Sequence, residues 1–311
     1  MNFESVIDIS KAELIQVTFP DEIPVKVFVK RLDLIHPIIS GNKWFKQKYN
    51  LVYAKENDYK TLVTFGGAYS NHIHALAASG KEFGFETIGL IRGEEHLPLN
   101  PTLKAVTELG MKIFYVSRSD YRKKHLPEFE EWINKKFGKV YIVPEGGTNV
   151  LALKGGSEIP SLIEMDYDFI CSACGTAGTI AGVIAGLDGN KKALGFSVLR
   201  GGAFLNNNVK NLISAYNGKA YTNWSINLDY HFGGYAKINR ELILFIQNFY
   251  DANMIQLDPI YTGKMMYGIY HLGRNGYFGK DKTIIALHTG GLQGVEGMIE
   301  KMKNVLANKV R

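Results

Sequence analysis

Short apolar runs alternate with amphipathic stretches along the chain from Thr61 onward. The first series sets apolar runs such as TLVTFGG before helical patterns such as SNHIHALAASGKEFG, and it ends at KVYIVPEGG. A second series runs from DYDFICSAC to KTIIALHTGG, with a helix expected near residues 206–216, and a C-terminal helix follows it. Strands and helices that alternate at this spacing are typical of parallel sheets covered by helices.

The two series predict an α/β protein built from two doubly wound parallel-sheet domains, with a ligand cleft between them. No long polar linker separates the series, so we expect a compact pair in which the N-terminal strand VKVFVKRLDL completes the later unit. The predicted large domain consists of residues 1–46 and 152–311, and the small domain consists of residues 47–151. In such sheets ligands bind beyond the carboxyl ends of the strands.

Five glycine-containing loops follow predicted strands, which is where a ligand would approach the backbone. One double glycine alone is typical of a tight turn. Five at strand ends favour a binding crevice, and the loops are TFGGAYSNHIH, VPEGGTN, CGTAGT, DYHFGGYAK and LHTGG.

Composition fits a globular protein, because 46% of the 311 residues are hydrophobic and 21% are charged. The formal net charge is +6, but the densest basic segment of the chain, residues 121–139, carries acidic residues between its lysines. That pattern predicts a solvated amphipathic helix, and we expect no nucleic-acid partner. The charge helps instead to attract an anionic cofactor or substrate.

Membrane, redox and metal functions find little support in the sequence. No apolar run approaches the roughly 20 residues that a membrane span needs, and residues 1–11 lack the build of a signal peptide, so we expect a cytoplasmic protein. Cys171 and Cys174 lie three residues apart on a predicted strand and point to opposite faces, which indicates packing. His72, His74 and His288 show no metal arrangement or carboxylate partner, and we expect packing or supporting roles.

The segment CGTAGT predicts a phosphate site. It begins at the end of an apolar strand and opens onto the helical pattern IAGVIAGL. The backbone amides of Gly175, Thr176, Ala177 and Gly178 can therefore point at an anion from a helix N-terminus, and the hydroxyls of Thr176 and Thr179 can also donate. The segment matches neither the nucleoside triphosphate nor the dinucleotide pattern, so a single phosphate on a smaller cofactor fits better.

The segment SGNKWFKQKYN, residues 40–50, sets three lysines where a loop gives way to a helix. Each lysine alone is typical of a solvated helix face. A phosphate-bearing aldehyde cofactor needs an amine to form a Schiff base, and pyridoxal 5'-phosphate is such a cofactor. If a helix begins near Asn42, Lys43 and Lys46 share a face, so one can reach the aldehyde and the other the phosphate. Lys48 is expected to point into solvent.

Six segments together resemble the 1-aminocyclopropane-1-carboxylate (ACC) deaminase and D-cysteine desulfhydrase family. They are SGNKWFKQKYNL, TFGGAYSNHIHALA, VPEGGTN, CGTAGT, DPIYTGK and LHTGG, in this order over nearly the whole chain. The resemblance implies the tryptophan synthase β-subunit-like fold (fold type II), pyridoxal phosphate as cofactor, a small amino acid as substrate and a homodimer.

The resemblance also implies roles for individual residues. Lys43 matches the Schiff-base lysine, Lys46 the phosphate-contacting lysine, and Gly175 to Thr179 the phosphate loop. Asn71 matches the asparagine on the cofactor's ring hydroxyl, and Ser70 matches the serine on the face opposite the lysine. Without the family pattern, Ser70 and Asn71 would simply be helix N-cap candidates, and capping is compatible with catalysis.

Two more roles follow from the last two motifs. Tyr261 in DPIYTGK matches an active-site tyrosine, although a lone tyrosine there would be read as half-buried packing. Thr289 in LHTGG is the candidate partner of the pyridine nitrogen. A hydroxyl there leaves the ring less protonated than a carboxylate would, which favours eliminations and replacements.

One departure from the family pattern bears on the substrate. ACC deaminases carry a second tyrosine just before the H-x-G-G motif, whereas this chain has Ile285, Ala286 and Leu287 there. We therefore expect β-elimination from D-cysteine, with ACC deamination as the alternative and a non-catalytic cofactor-binding protein as the rival from another class. Tyr230 or Tyr235 would compensate if their loop folds over the cofactor.

Overall fold

The computed structural model describes residues 5–307, which form ten strands and twelve α-helices within that range. The strands are β1 (Leu14–Val17), β2 (Val25–Lys30), β3 (Thr61–Gly66), β4 (Glu86–Arg92), β5 (Lys112–Val116), β6 (Tyr141–Val143), β7 (Phe169–Cys174), β8 (Lys192–Ser197), β9 (Trp224–Asn227) and β10 (Lys282–Leu287). The helices are α1 (Asn42–Glu56), α2 (Asn71–Phe83), α3 (Pro101–Glu108), α4 (Arg118–Tyr121), α5 (Pro127–Phe137), α6 (Val150–Gly156), α7 (Gly178–Leu187), α8 (Phe204–Asn217), α9 (Arg240–Asn253), α10 (Thr262–Arg274), α11 (Gln293–Glu296) and α12 (Ile299–Ala307).

The strands form two sheets, as the alternation of the sequence predicts. The larger sheet has the order β1-β2-β10-β7-β8-β9, and the smaller one has the order β5-β4-β3-β6. The N-terminal strand β2 pairs in parallel with β10, so it completes the later unit as expected. One strand departs from the parallel arrangement: β1 is antiparallel to β2, because the short connection between them allows a hairpin but not a crossover helix.

The two sheets are built from different parts of the chain. All strands of the smaller sheet lie between residues 61 and 143, and those of the larger sheet lie outside that range. The predicted boundaries at residues 46 and 152 both fall inside helices, α1 and α6. The boundaries themselves stay predictions.

Two smaller predictions are wrong. Residues 121–139 do not form a single helix, because Pro127 starts α5 as a separate helix after α4 has ended. Lys48 does not point freely into solvent: its side chain is 17% exposed and its Nζ lies 3.1 Å from Glu158 Oε2. Its partner is more than a hundred residues away in sequence, so the local pattern gave no sign of it.

The buried core fits the strand periodicity. Cys171 and Cys174 are free and buried, and they pack in different core clusters on opposite faces of β7, as expected. Within residues 5–307, no helix is long and apolar enough to cross a membrane.

Close glycine contacts bring the three helices α1, α6 and α7 together. A Cβ on Gly155 of α6 would lie 1.8 Å from the Phe45 carbonyl oxygen of α1, and one on Gly182 of α7 would lie 2.8 Å from Gly156 Cα. A larger residue at either glycine would push the helices apart. This packing fixes the start of α1, which carries Lys43 and Lys46, against the start of α7.

Candidate active site

A cavity of about 550 Å³ opens where the carboxyl ends of strands from both sheets meet. This is the position that the strand-end rule predicts for a ligand. The polar residues that line the cavity are Asn42, Lys43, Lys46, Tyr69, Ser70, Asn71, His72, Arg92, Glu145, Thr176, Thr179, Tyr235, Tyr261 and Thr289.

Lys43 enters the cavity from the first turn of α1. The helix starts there because Gly41 adopts a φ of 63°, and a Cβ at that position would lie 2.0 Å from the Thr289 carbonyl oxygen. Lys43 Nζ donates to Asn42 Oδ1 at 2.8 Å, and Asn42 Nδ2 donates to Thr179 Oγ1 at 2.6 Å. The amine is therefore aimed by a side chain that also reaches the predicted phosphate loop.

The Lys43 ammonium loses its proton more readily than that of an exposed lysine. Burial lowers its pKa to about 8, although the Asp258 carboxylate acts in the opposite direction. A lysine with a pKa near neutrality supplies a useful fraction of free amine, which is the form that attacks a carbonyl carbon or accepts a proton.

Lys46 is a second amine in the same cavity, and it is only 2% exposed. Its Nζ donates to Thr148 Oγ1 at 2.8 Å and to Thr176 Oγ1 at 3.3 Å, and it forms no ion pair with any carboxylate in residues 5–307. Burial, followed by the nearby Lys43, holds its pKa well below the usual range. A buried cation that faces only hydroxyl groups lacks an anion, and a phosphate group fits that need.

The CGTAGT segment forms the wall beside Lys46. Helix α7 starts at Gly178, and a Cβ there would lie 3.0 Å from Lys46 Nζ, so only glycine lets the lysine approach the helix N-terminus. Gly175, Thr176 and Thr179 line the cavity. Ala177 takes the N-cap position of α7 and its side chain is buried in the core, so it can offer only its backbone.

Ser70 and Asn71 lie at the start of α2, facing the same cavity. Ser70 is the N-cap, because its Oγ accepts a hydrogen bond from Ile73 N at 3.3 Å. Asn71 Oδ1 accepts from Gln293 Nε2 at 2.9 Å, which fixes the amide orientation. Thr289, 8% exposed, lines the cavity from the loop after β10. The structure thus brings these predicted residues together with Lys43.

Tyr261 immediately precedes α10, and a buried carboxylate holds it in place. Asp258 is 1% exposed, and its Oδ1 accepts hydrogen bonds from the backbone N of Ile260 at 2.9 Å and of Tyr261 at 2.8 Å. Its Oδ2 accepts from Thr262 N at 2.9 Å and from Thr262 Oγ1 at 2.7 Å. Burial raises the pKa of Tyr261 well above the usual range, so its phenol stays protonated.

The histidines need one correction. His288 was expected to lack a carboxylate partner, but its Nδ1 lies 3.2 Å from Asp33 Oδ1. Asp33 precedes it by 255 positions, so the sequence pattern could not pair them. His72 lines the cavity, and Thr64 Oγ1 lies 2.8 Å from its Nε2. Within residues 5–307, no group of three or more His, Cys, Asp or Glu side chains could hold a metal ion.

Four further polar residues of the cavity were not assigned from the sequence, namely Asn42, Tyr69, Arg92 and Glu145. Arg92 ends β4 and Glu145 follows β6, so the strand-end rule that selected the glycine loops would also have selected them. Glu145 accepts a hydrogen bond from the Tyr121 hydroxyl at 2.7 Å.

Tyr230 and Tyr235, the two candidates to replace the tyrosine missing before the HTGG motif, differ in their position relative to the cavity. Tyr235 lines the cavity, and its ring centroid lies 6.0 Å from that of Tyr261. Tyr230 does not line it, and its hydroxyl lies 2.8 Å from His271 Nδ1. Only Tyr235 is therefore placed to act on a ligand.

Replacing Lys46 by Met is expected to weaken cofactor binding and to stabilise the cofactor-free protein. Loss of a charge-assisted contact to phosphate, typically worth about 1.5–3 kcal/mol, raises the Kd for pyridoxal phosphate at least about tenfold. The same change removes a buried amine that has no carboxylate partner within residues 5–307, and Thr148 and Thr176 still bond each other at 3.1 Å. Equilibrium titration and urea unfolding measure the two effects.

The stability difference between Lys46→Met and the parent should shrink as pH rises. The folded-state pKa of Lys46 is depressed below the unfolded value, so the parent gains stability between those two values while Met does not. Lys48→Met, on the same helix but paired with Glu158, is the control and should keep the parent's Kd. An unchanged Kd in Lys46→Met would contradict the phosphate site.

The two sheets, which are parallel except for β1, share one cavity. The half-buried Lys43 amine and the glycine- and threonine-rich start of α7 both lie at this cavity. Together these features define an enzyme that uses pyridoxal phosphate and has fold type II. The family model for "Pyridoxal-phosphate dependent enzyme" matches residues 8–290. The chain belongs to that family.

Three similar proteins show which members of the family resemble this chain. A Pyrococcus furiosus protein named provisionally as a 1-aminocyclopropane-1-carboxylate deaminase is 32% identical over 86% of this chain and 85% of its own length. The bifunctional D-cysteine desulfhydrase/1-aminocyclopropane-1-carboxylate deaminase of Arabidopsis thaliana is 26% identical over 91% of this chain and 76% of its own. A solved structure of an ACC deaminase homologue is 28% identical, with a TM-score of 0.80 over 95% of this chain and 97% of that one.

Proposed function

We propose that the protein catalyses β-elimination from D-cysteine or a close analogue, giving pyruvate, sulfide and ammonia. The observation that carries this proposal is that one cavity is lined both by Lys43, whose pKa is about 8, and by Tyr235 and Tyr261, whose phenols stay protonated. An elimination needs a base at Cα and an acid at the leaving group. The Arabidopsis relative carries the D-cysteine desulfhydrase name, which supports the same reading.

The donors that line the cavity support a place for the cofactor there. Pyridoxal phosphate, when bound, supplies a conjugated ring that withdraws electrons from the substrate's Cα. Lys46 and the 175–179 loop would hold its phosphate, Asn71 its ring hydroxyl and Thr289 its ring nitrogen. Lys43 would hold its aldehyde carbon until the substrate amine takes that place.

The chain's own groups then carry out the proton transfers. Lys43, released by the substrate amine, takes the proton from Cα, and its position beside Asn42 keeps the amine in reach. Ser70, at the start of α2, would orient the substrate carboxylate from the opposite side. The enamine that remains after the thiol departs would be released when Lys43 returns to its resting place, and it then hydrolyses to pyruvate and ammonia.

ACC deamination is the second candidate, because the P. furiosus and A. thaliana relatives both carry that name. Opening the cyclopropane ring needs one more acid or nucleophile than the elimination does. The segment before HTGG supplies none: Ile285, Ala286 and Leu287 are fully buried in the core and do not line the cavity. This is why we rank ACC below D-cysteine.

We also propose that the protein is a homodimer located in the cytoplasm. Sedimentation of the purified protein measures its oligomeric state directly. A binding protein without catalysis would keep the cofactor but turn over no amino acid, so turnover separates it from the enzyme.

The loaded enzyme should release sulfide and pyruvate from D-cysteine with a kcat/KM at least about tenfold above that for ACC, because a missing general acid typically costs at least that much. Pyruvate, sulfide and 2-oxobutyrate are followed in parallel for D-cysteine, L-cysteine and ACC. Efficient ACC turnover without sulfide from either cysteine would reverse the ranking.

A further inference from the structure

Lys264 is a fully buried lysine that does not line the cavity. It lies in the first turn of α10, three residues after Tyr261. Its Nζ donates to two main-chain carbonyls, His231 O at 2.9 Å and Gly234 O at 2.8 Å. Both acceptors belong to one loop, so the buried ammonium ties that loop to the helix that follows the active-site tyrosine.

The loop held by Lys264, residues 231–236, has a backbone that needs support. Phe232 and Ala236 have φ values of 52° and 53°, in the left-handed region that side chains avoid, and the two glycines between them also have positive φ. Lys301 Nζ donates to Ala236 O at 2.6 Å from the outer side. A strained backbone persists only where its surroundings over-determine it, and two lysines supply that constraint here.

Tyr235 is the side chain that this loop brings to the cavity. Its ring lies edge-on to that of Tyr261, with the centroids 6.0 Å apart, and 43% of its surface stays exposed at the mouth. Burial raises the pKa of both phenols, so both are protonated at neutral pH and serve as donors. Because Tyr235 is partly exposed, its place beside Tyr261 depends on the conformation of the loop that carries it.

We propose that Tyr235 donates the proton that the departing β-substituent takes up, and that Lys264 is the positioning residue that holds the Tyr235 loop in place for this step. The inference rests on the proposed elimination. It assigns the acid of that reaction to a loop tyrosine and explains why a lysine is buried three residues after Tyr261.

The protons and electrons balance within the cavity. Lys43 Nζ takes the proton from Cα, the bond from Cβ to the leaving group breaks, and the leaving group departs with the electron pair. A sulfur leaving group then takes the Tyr235 proton and becomes hydrogen sulfide. The Tyr235 phenolate regains a proton from the Lys43 ammonium, so both residues end in the state in which they began.

The experiment compares four holoenzyme variants with the parent: Tyr235→Phe, Lys264→Met, the double variant, and Lys237→Met as an exposed lysine of the same chain segment. Tyr235→Phe should lower kcat/KM for D-cysteine at least about tenfold. With β-chloro-D-alanine, whose chloride leaves without a proton, the loss should stay below about threefold. The double variant should be no slower than Tyr235→Phe, because Lys264→Met acts only by displacing the hydroxyl that Tyr235→Phe already removes.

Hydrogen exchange of the backbone amides tests the positioning role without turnover. Lys264→Met should speed exchange across residues 231–236 at least about tenfold, while Lys237→Met and Tyr235→Phe leave it unchanged. Parent-like exchange in Lys264→Met, or equal losses on both substrates in Tyr235→Phe, would overturn the proposal.

The outcomes separate this inference from the proposed function. A parent enzyme that turns over neither D-cysteine nor β-chloro-D-alanine contradicts the elimination, and the acid role of Tyr235 falls with it, while the exchange result still decides whether Lys264 holds the loop. If Lys264→Met does not fold, Tyr235→Phe decides alone: parental kcat/KM on D-cysteine overturns the proposal, and a loss confined to D-cysteine supports it.

Discussion

Lys43→Ala is expected to lower kcat at least about 10³-fold while the cofactor still binds. The lysine serves twice in the proposed reaction, as the group that holds the aldehyde carbon and as the base at Cα, and a positioned base alone typically contributes about 10²–10⁴. Cofactor affinity persists because Lys46 and the 175–179 loop are untouched. Steady-state kinetics measures kcat, and equilibrium titration of the same preparation measures the Kd for pyridoxal phosphate.

The control for this variant is Lys48→Ala, five residues along the same helix. Lys48 pairs with Glu158 and does not line the cavity, so its loss should leave kcat within about twofold of the parent, as expected for a site remote from the chemistry. Turnover by Lys43→Ala within tenfold of the parent would show that another group is the base.

Asp258→Ala is expected to destabilise the protein by about 3 kcal/mol and to displace Tyr261. The carboxylate accepts three backbone N–H bonds and one hydroxyl bond at a position that is 1% exposed. Removing it leaves several buried donors without an acceptor, and hydrogen bonds to a charged group are typically worth about 1.5–3 kcal/mol each. Urea unfolding measures the loss of stability.

Two further variants sharpen this test. Asp251→Ala changes an exposed carboxylate near the end of α9 and should stay within about 0.5 kcal/mol of the parent. Asp258→Asn keeps one side-chain oxygen as acceptor and should lie between the parent and Asp258→Ala. An Asp258→Ala protein as stable as the parent would mean that water replaces the carboxylate at the start of α10.

Much of the fold and the start of α7 could be predicted because their causes are local. Alternating apolar and polar positions place the strands, and glycine next to threonine at a strand end predicts the start of α7. Lys43 and Lys46 share a face because they are three residues apart on one helix. In each case, the residues responsible are close together in sequence.

The features that the sequence did not reveal depend on contacts between distant segments. Lys48 was expected in solvent because Glu158 is invisible from its neighbourhood, and His288 gains Asp33 in the same way. Lys264 is harder still, since it bonds main-chain carbonyls, which any residue type can supply. Tyr235 reaches the cavity only through that loop.

The most direct test of the central claim is to reduce the loaded protein with borohydride and map the modified lysine. A pyridoxyl group on Lys43 blocks tryptic cleavage there, so the label should appear on the peptide spanning residues 32–46 and be absent from Lys43→Ala. Label on the peptide of residues 44–48 would place the cofactor on Lys46, and label on Lys264 would move it to α10. Either result would contradict an active site centred on Lys43.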